Sequence, residues 1–128
     1  EKAMTEHGMI TWSELMTTEV EKAKAFYETT LGVSFEPFAA DAEGRYHVAM
    51  AGGKPAWGLM DMTGRPDAGP AMWFTYIAVD DVDARAEKAV KAGAELMMPI
   101  FEVPTVGRIA LIRDASGAMI GWMTPFEG

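Results

Sequence analysis

The sequence predicts an α+β protein made of two copies of one β-α-β-β-β unit, and three observations carry that expectation. Gly44-Arg45 followed by Gly58-Leu59-Met60 reappears 63 residues later as Gly107-Arg108 followed by Gly121-Trp122-Met123. Each copy holds one amphipathic stretch. Each also holds several short apolar runs bounded by glycine and aspartate turn words. A repeat half the length of the chain implies that neither half buries its own apolar face alone, so the halves are expected to pack together.

The elements follow in order. Gly8 to Met16 reads as a first strand, matched by Met72 to Val79 in the second copy. Thr18-Glu19-Val20-Glu21 opens a helix ending at Gly32, and Asp80-Asp81-Val82-Asp83 opens another ending at Gly93. In both, Thr18 or Asp80 is the expected N-cap, with an acid three positions on, and the closing glycine suits a left-handed C′ residue. Val20, Ala23, Tyr27 and Leu31 share one face, as do Val82, Ala86, Ala89 and Val90, which predicts helices laid on a sheet.

Three strands are expected after each helix. In the first copy they are Ser34 to Phe38, Gly44 to Met50 and Pro55 to Met62, separated by Asp41-Ala42-Glu43-Gly44 and Gly52-Gly53-Lys54-Pro55. In the second they are Glu95 to Ile100, Arg108 to Arg113 and Ala118 to Thr124, with Asp114-Ala115-Ser116-Gly117 as the hairpin turn. The modules then run from about 8 to 64 and from about 71 to 126, within one domain over residues 1–128 and with eight strands in all.

Composition narrows the function classes. The chain has 128 residues, 49% of them hydrophobic, which is enough for a core, and no apolar run of the roughly 18 residues that a membrane span needs. It contains no cysteine, so thiol nucleophiles, disulfides and thiolate metal sites are excluded, and a cytoplasmic address is expected. A net charge of −8 without a basic stripe argues against nucleic acid. Glu1-Lys2-Ala3, ahead of Met4, reads as a processing remnant. Gly52-Gly53-Lys54 lacks the Ser/Thr and helix of a phosphate loop and is explained as a hairpin turn.

Trp12-Ser13-Glu14-Leu15, Ala25-Phe26-Tyr27 to Leu31-Gly32, and Arg113-Asp114 to Gly117-Ala118 resemble the vicinal oxygen chelate superfamily of glyoxalase I, extradiol dioxygenases and bleomycin resistance proteins. The resemblance implies two modules side by side, their eight strands curving into an open U-shaped sheet around a central cavity. It also implies, in metal-dependent members, four His, Gln or Glu ligands, one from the first and one from the last strand of each module. Carried over by the family's spacing and by the internal repeat, those positions fall on Trp12, Phe74, Gly58 and Gly121. None of the four side chains can ligate a metal.

Neighbours on the same strand faces are Glu14, Tyr76, Met60 and Met123, which supply one good ligand. His47 and Asp61 are the remaining candidates, but their repeat-mates are Ala110 and Thr124, and His7 reads as an exposed or edge residue. No metal and no cofactor is therefore expected. Two aromatic rings facing two glycines suit a planar, hydrophobic ligand that approaches the strand backbone closely, with Met60 and Met123 as adaptable lining. Glu14 and Tyr76 would orient a polar or cationic group, and burial would raise the Glu14 pKa toward that of an acid–base catalyst. Against this stand plainer readings. Trp12 and Phe74 fill a core, Glu14 is paired with Tyr76 or a lysine, and the eleven methionines are packing filler.

The expected function is thus a metal-free, glyoxalase-like receptor that binds a hydrophobic or aromatic small molecule, as the drug-sequestering branch of that superfamily does. The alternatives are a metal-dependent or Glu14-based lyase, isomerase or dioxygenase, and an interaction module with a filled cavity. A homodimer is expected, on an unspecified surface.

Overall fold

The computed structural model describes residues 7–127, and Glu1-Lys2-Ala3 lies outside them. The elements are β1 (Ile10–Thr17), α1 (Val20–Leu31), β2 (Ser34–Pro37), β3 (Tyr46–Ala51), β4 (Lys54–Asp61), β5 (Met72–Ala78), α2 (Val82–Lys91), β6 (Glu95–Leu96), β7 (Phe101–Val103), β8 (Gly107–Arg113) and β9 (Met119–Pro125). They form an α+β fold in which the β-α-β-β-β pattern occurs twice. Among the described residues two compact units are present, one spanning Trp12–Phe74, the other made of residues 75–127 with residues 7–11.

In the Trp12–Phe74 unit the strands run in the order β2-β3-β4-β1. β1 and β4 are parallel, with Glu14 opposite Gly58 and Leu15 opposite Leu59, whereas β3 is antiparallel to both β2 and β4. Alternation then assigns the faces. Leu15 and Leu59 are buried against Val20, Ala23 and Tyr27 of α1 and Phe35 of β2, and Trp12, Glu14, Met16, Gly58 and Met60 fall on the other side. β3 and β4 are joined by Gly52 and Gly53, both at positive φ (58° and 79°), which gives a two-residue hairpin the right-handed twist of its strands.

The second unit repeats the plan, with β9 parallel to β5 and antiparallel to β8. Val79, Val82, Ala86, Ala110 and Ile112 form its core, with Ile77, Ala89 and Trp122 packed against them. The β8–β9 turn is organised by Asp114, whose Oδ1 accepts hydrogen bonds from the Ser116 N–H (2.8 Å), the Ser116 hydroxyl (2.6 Å) and the Ala118 N–H (3.0 Å). Those bonds, the Ser116 side chain foremost, hold the Asp114 carboxyl below the usual range.

Several expectations need correction. The strand expected over Glu95 to Ile100 is cut down to β6, and a separate short strand, β7, follows beyond it; both are antiparallel to β8. Pro99 sits between them and has no N–H to give the ladder, although the Met97 N–H still reaches the Leu111 carbonyl at 2.9 Å. Leu31 and Val90, read as core-facing, are 61% and 52% exposed, because both lie in the last turn of their helices.

The N-caps are also one residue later than expected, at Glu19 and Asp81. Asp81 Oδ1 accepts from the Ala84 N–H at 3.1 Å, while Glu19 makes no side-chain cap. In α1 the role is partly taken by Thr17, whose Oγ1 accepts from the Glu19 N–H at 3.0 Å. Asp81→Ala is accordingly expected to cost about 1 kcal/mol and Glu19→Ala close to nothing. Paired urea denaturation curves check this, and equal losses would contradict the assignment of the caps.

Candidate functional site

The side of the Trp12–Phe74 sheet that faces away from α1 carries one buried charge. Glu14, at mid-strand in β1, is 4% exposed, and a carboxylate this deep in a sheet needs partners. One is Tyr46 at the start of β3, whose hydroxyl donates to Glu14 Oε1 at 2.6 Å. The Tyr46 oxygen in turn accepts from the indole Nε1–H of Trp12 at 2.7 Å. Indole nitrogen is a donor only, so it fixes the phenol oxygen as its acceptor and leaves the phenol proton for the carboxylate. The distance to Glu14 is that of a charge-assisted O–H···O⁻ bond. Trp12 to Tyr46 to Glu14 is therefore a directed hydrogen-bond chain, with Phe38 edge-on against the Tyr46 ring at 5.7 Å.

Glycine at position 58 makes the chain possible. Tyr46 is register-paired with Met60 on β4, and Glu14 lies on β1 beyond β4, so the phenol must cross that strand. It crosses over Gly58, where a Cβ would collide with the Tyr46 hydroxyl. This corrects the expectation that Gly58 lets a ligand approach the backbone: its open space is occupied by the protein's own tyrosine. Tyr46 was absent from the residues picked from sequence, and the one available signal was its repeat-mate. Position 109 holds isoleucine, so the copies differ in polarity there.

The other expected residues are placed as follows. Met60 is half-buried on the same face as Glu14, and Phe74, at the end of the same unit, is 5% exposed. In the second unit Tyr76 is 9% exposed and opposite Gly121, while Met123 is opposite Ala78, so Tyr76, Gly121 and Met123 share the face away from α2. His47 and Asp61 belong elsewhere. His47 is opposite Leu59 and therefore on the α1 side, where burial first and the Lys24 charge second lower its pKa. Asp61 Oδ1 accepts from the Thr63 N–H at 2.9 Å in the loop after β4. His7 Nδ1 accepts from the Asp80 N–H at 2.9 Å, an edge role consistent with its half-exposed position.

The donor set can be tested against a divalent ion. Trp12, Gly58, Phe74 and Gly121 offer no lone pair of the required kind, and Glu14 shares its face with thioethers, a phenol and an indole. Among the described residues no three His, Asp or Glu side chains come together. The residues present do not fit the metal of the metal-dependent vicinal oxygen chelate enzymes.

Comparison with known proteins agrees with this architecture. The family model for the Glyoxalase/Bleomycin resistance protein/Dioxygenase superfamily matches residues 9–121. CFP32 of Mycobacterium tuberculosis, whose name marks it provisionally as a glyoxylase, is 37% identical over 116 residues, or 89% of this chain and 44% of CFP32. The chain thus spans less than half the length of that relative. The anthracycline biosynthesis protein DnrV of Streptomyces peucetius is 41% identical over 49 residues, 38% of this chain and 18% of DnrV. Methylmalonyl-CoA epimerase from Mycobacterium tuberculosis has the same fold, with a TM-score of 0.63 at 17% identity, covering 92% of this chain and 88% of the epimerase.

Proposed function

This chain belongs to the Glyoxalase/Bleomycin resistance protein/Dioxygenase superfamily, and we propose that it works there without a metal, as a receptor for a planar aromatic small molecule. The Trp12–Tyr46–Glu14 chain carries the reading. It supplies two half-buried aromatic rings whose tilt is fixed by hydrogen bonds, next to one buried carboxylate. Rings offer contact area at low entropy cost, and a preorganised carboxylate selects a cationic or hydroxylated group. Phe38 and Met60 extend the apolar surface. DnrV, named for the biosynthesis of anthracyclines, makes a fused-ring aromatic compound a sensible first probe. A cytoplasmic site of action fits a chain without cysteine, and among the described residues no helix is long and apolar enough to cross a membrane.

Titration with an anthracycline, followed by quenching of the drug's fluorescence, tests the proposal. Saturable binding that Trp12→Ala weakens at least tenfold is expected, with a matching rise in unfolding temperature at saturating drug. Zn²⁺, Ni²⁺ or Mn²⁺ should leave both the affinity and the unfolding temperature unchanged. One retained equivalent of metal that raises either would overturn the metal-free reading, and absence of binding by a panel of planar aromatics would overturn the receptor.

A second reading has its own observation, the 2.6 Å contact between a buried carboxylate and a phenol. Such a pair suits an isomerase or lyase in which Glu14 takes a proton from a carbon acid and Tyr46 orients the carboxylate. Exchange of deuterium from solvent into a candidate substrate, abolished by Glu14→Gln, would favour this enzyme over the receptor.

A further inference from the structure

Tyr46 is gripped by the loop of residues 38–45 that leads into β3. Asp41 Oδ2 accepts hydrogen bonds from the N–H groups of Arg45 and Tyr46, both at 2.7 Å, and Asp41 Oδ1 accepts from the Glu43 N–H at 3.2 Å. Bonds of 2.7 Å to a carboxylate are charge-assisted and stronger than those of an ordinary strand ladder. The same loop holds the other polar group of the tyrosine backbone, since the Phe38 N–H donates to the Tyr46 carbonyl at 3.0 Å, and the Phe38 ring lies against the phenol ring. Arg45 anchors the end of the loop, its Nη1 donating to the carbonyls of Asp61 (3.1 Å), the last residue of β4, and Thr63 (2.8 Å). The second copy builds the equivalent stretch without a carboxylate. Sixty-three residues on, Phe38, Asp41 and Tyr46 correspond to Phe101, Pro104 and Ile109. There Phe101 pairs with Ile109 in a regular β7–β8 ladder, and the Val106 N–H closes the turn on the Val103 carbonyl at 3.0 Å. The frame is shared, but the aspartate stands in the copy that has a phenol to aim.

We propose that Asp41 is a positioning residue for the Glu14 site, holding the Tyr46 backbone so that the phenol lies over Gly58 with its hydroxyl on Glu14. This role rests on the function proposed above for the Trp12–Tyr46–Glu14 chain. The hydroxyl stands at the far end of a rigid ring, so a small turn of the Tyr46 backbone is magnified there. Hydrogen bonds of 2.6 Å and 2.7 Å in series tolerate a displacement of about 0.5 Å at most. Closing the loop does not by itself call for a carboxylate, because the second copy closes the same frame with Pro104. Asp41 therefore acts on the site through the Tyr46 backbone, and its effect should appear wherever the aim of the phenol is read.

The indole N–H signals of the four tryptophans in a proton–nitrogen correlation spectrum test this without a ligand. Tyr46→Phe, which deletes the acceptor, marks the Trp12 signal and gives its position and solvent-exchange rate when the chain is broken. Asp41→Ala is expected to move the Trp12 signal toward that position and to speed its exchange about tenfold, the equivalent of one lost hydrogen bond, with the Trp57, Trp73 and Trp122 signals in place. Asp41→Asn, whose carbonyl oxygen can still accept from Arg45 and Tyr46, should restore the parent signal. In the anthracycline titration Asp41→Ala should weaken binding about tenfold and lose nothing further when Tyr46→Phe is added, because both act through the phenol. A folded Asp41→Ala whose Trp12 signal and exchange match the parent overturns the proposal, and an asparagine that restores nothing counts against it. A parent that binds no planar aromatic would sink the receptor alone, and the indole signals would still decide the role of Asp41. Should Asp41→Ala fail to fold, Asp41→Ser, with one oxygen left to accept, is judged by the same signals.

Discussion

Alanine in place of Gly58 is expected to destabilise the protein by about 2 kcal/mol and to disable the Glu14 site, although it adds a single methyl group. That methyl would occupy the position of the Tyr46 hydroxyl. Since the obstacle is the far end of a side chain and not backbone, the fold survives by swinging the phenol aside. The swing costs the bonds from Trp12 Nε1–H and to Glu14 Oε1 together. A mutant cycle with Tyr46→Ala isolates the mechanism: once the ring is gone, Gly58→Ala should cost little, leaving a coupling energy above about 1 kcal/mol. Additive losses in urea denaturation would show that Gly58 is needed for some other reason.

Glu14→Gln is expected to separate charge recognition from shape. Glutamine keeps a carbonyl oxygen able to accept from Tyr46, so the hydrogen-bond chain and the fold should persist with a small loss of stability. A cationic planar aromatic should then bind about tenfold to a hundredfold more weakly, since a hydrogen bond to a charged group is worth about 1.5–3 kcal/mol. A neutral analogue of the same ring system should bind as before. Calorimetric titration with the two ligands reads the difference directly. Equal losses for both would mean that Glu14 holds the architecture and does not meet the ligand.

The architecture was legible because it rests on local patterns. Repeated glycine words, alternation and turn residues placed β3, β4, β8 and β9 to within two residues, and the same alternation put Trp12 and Glu14 on one face. What escaped depends on register. That Tyr46 reaches Glu14 follows from three strands being aligned so that Gly58 lies beneath the phenol, and no local spacing encodes that alignment. The caps slipped by one residue because Thr18 and Glu19, like Asp80 and Asp81, both offer side-chain oxygens, and only the backbone decides which leaves the helix. His47, weighed as a ligand candidate and set aside because its repeat-mate is Ala110, is excluded by position as well. Lying one residue from Tyr46, it points to the opposite side of the same strand.

Pro37 closes β2, and Pro99 splits β6 from β7, and the two are separated by nearly the repeat length. β2 lies at the outer end of its unit's sheet, and β6 and β7 at the outer end of theirs. An intact outer strand is a template on which foreign strands, and eventually fibrils, can grow. Proline stands at corresponding places in the two copies, 62 residues apart, so the outer strand of each unit is unsuited to strand addition. That leaves growth by polymerisation disfavoured even in a chain that is half hydrophobic.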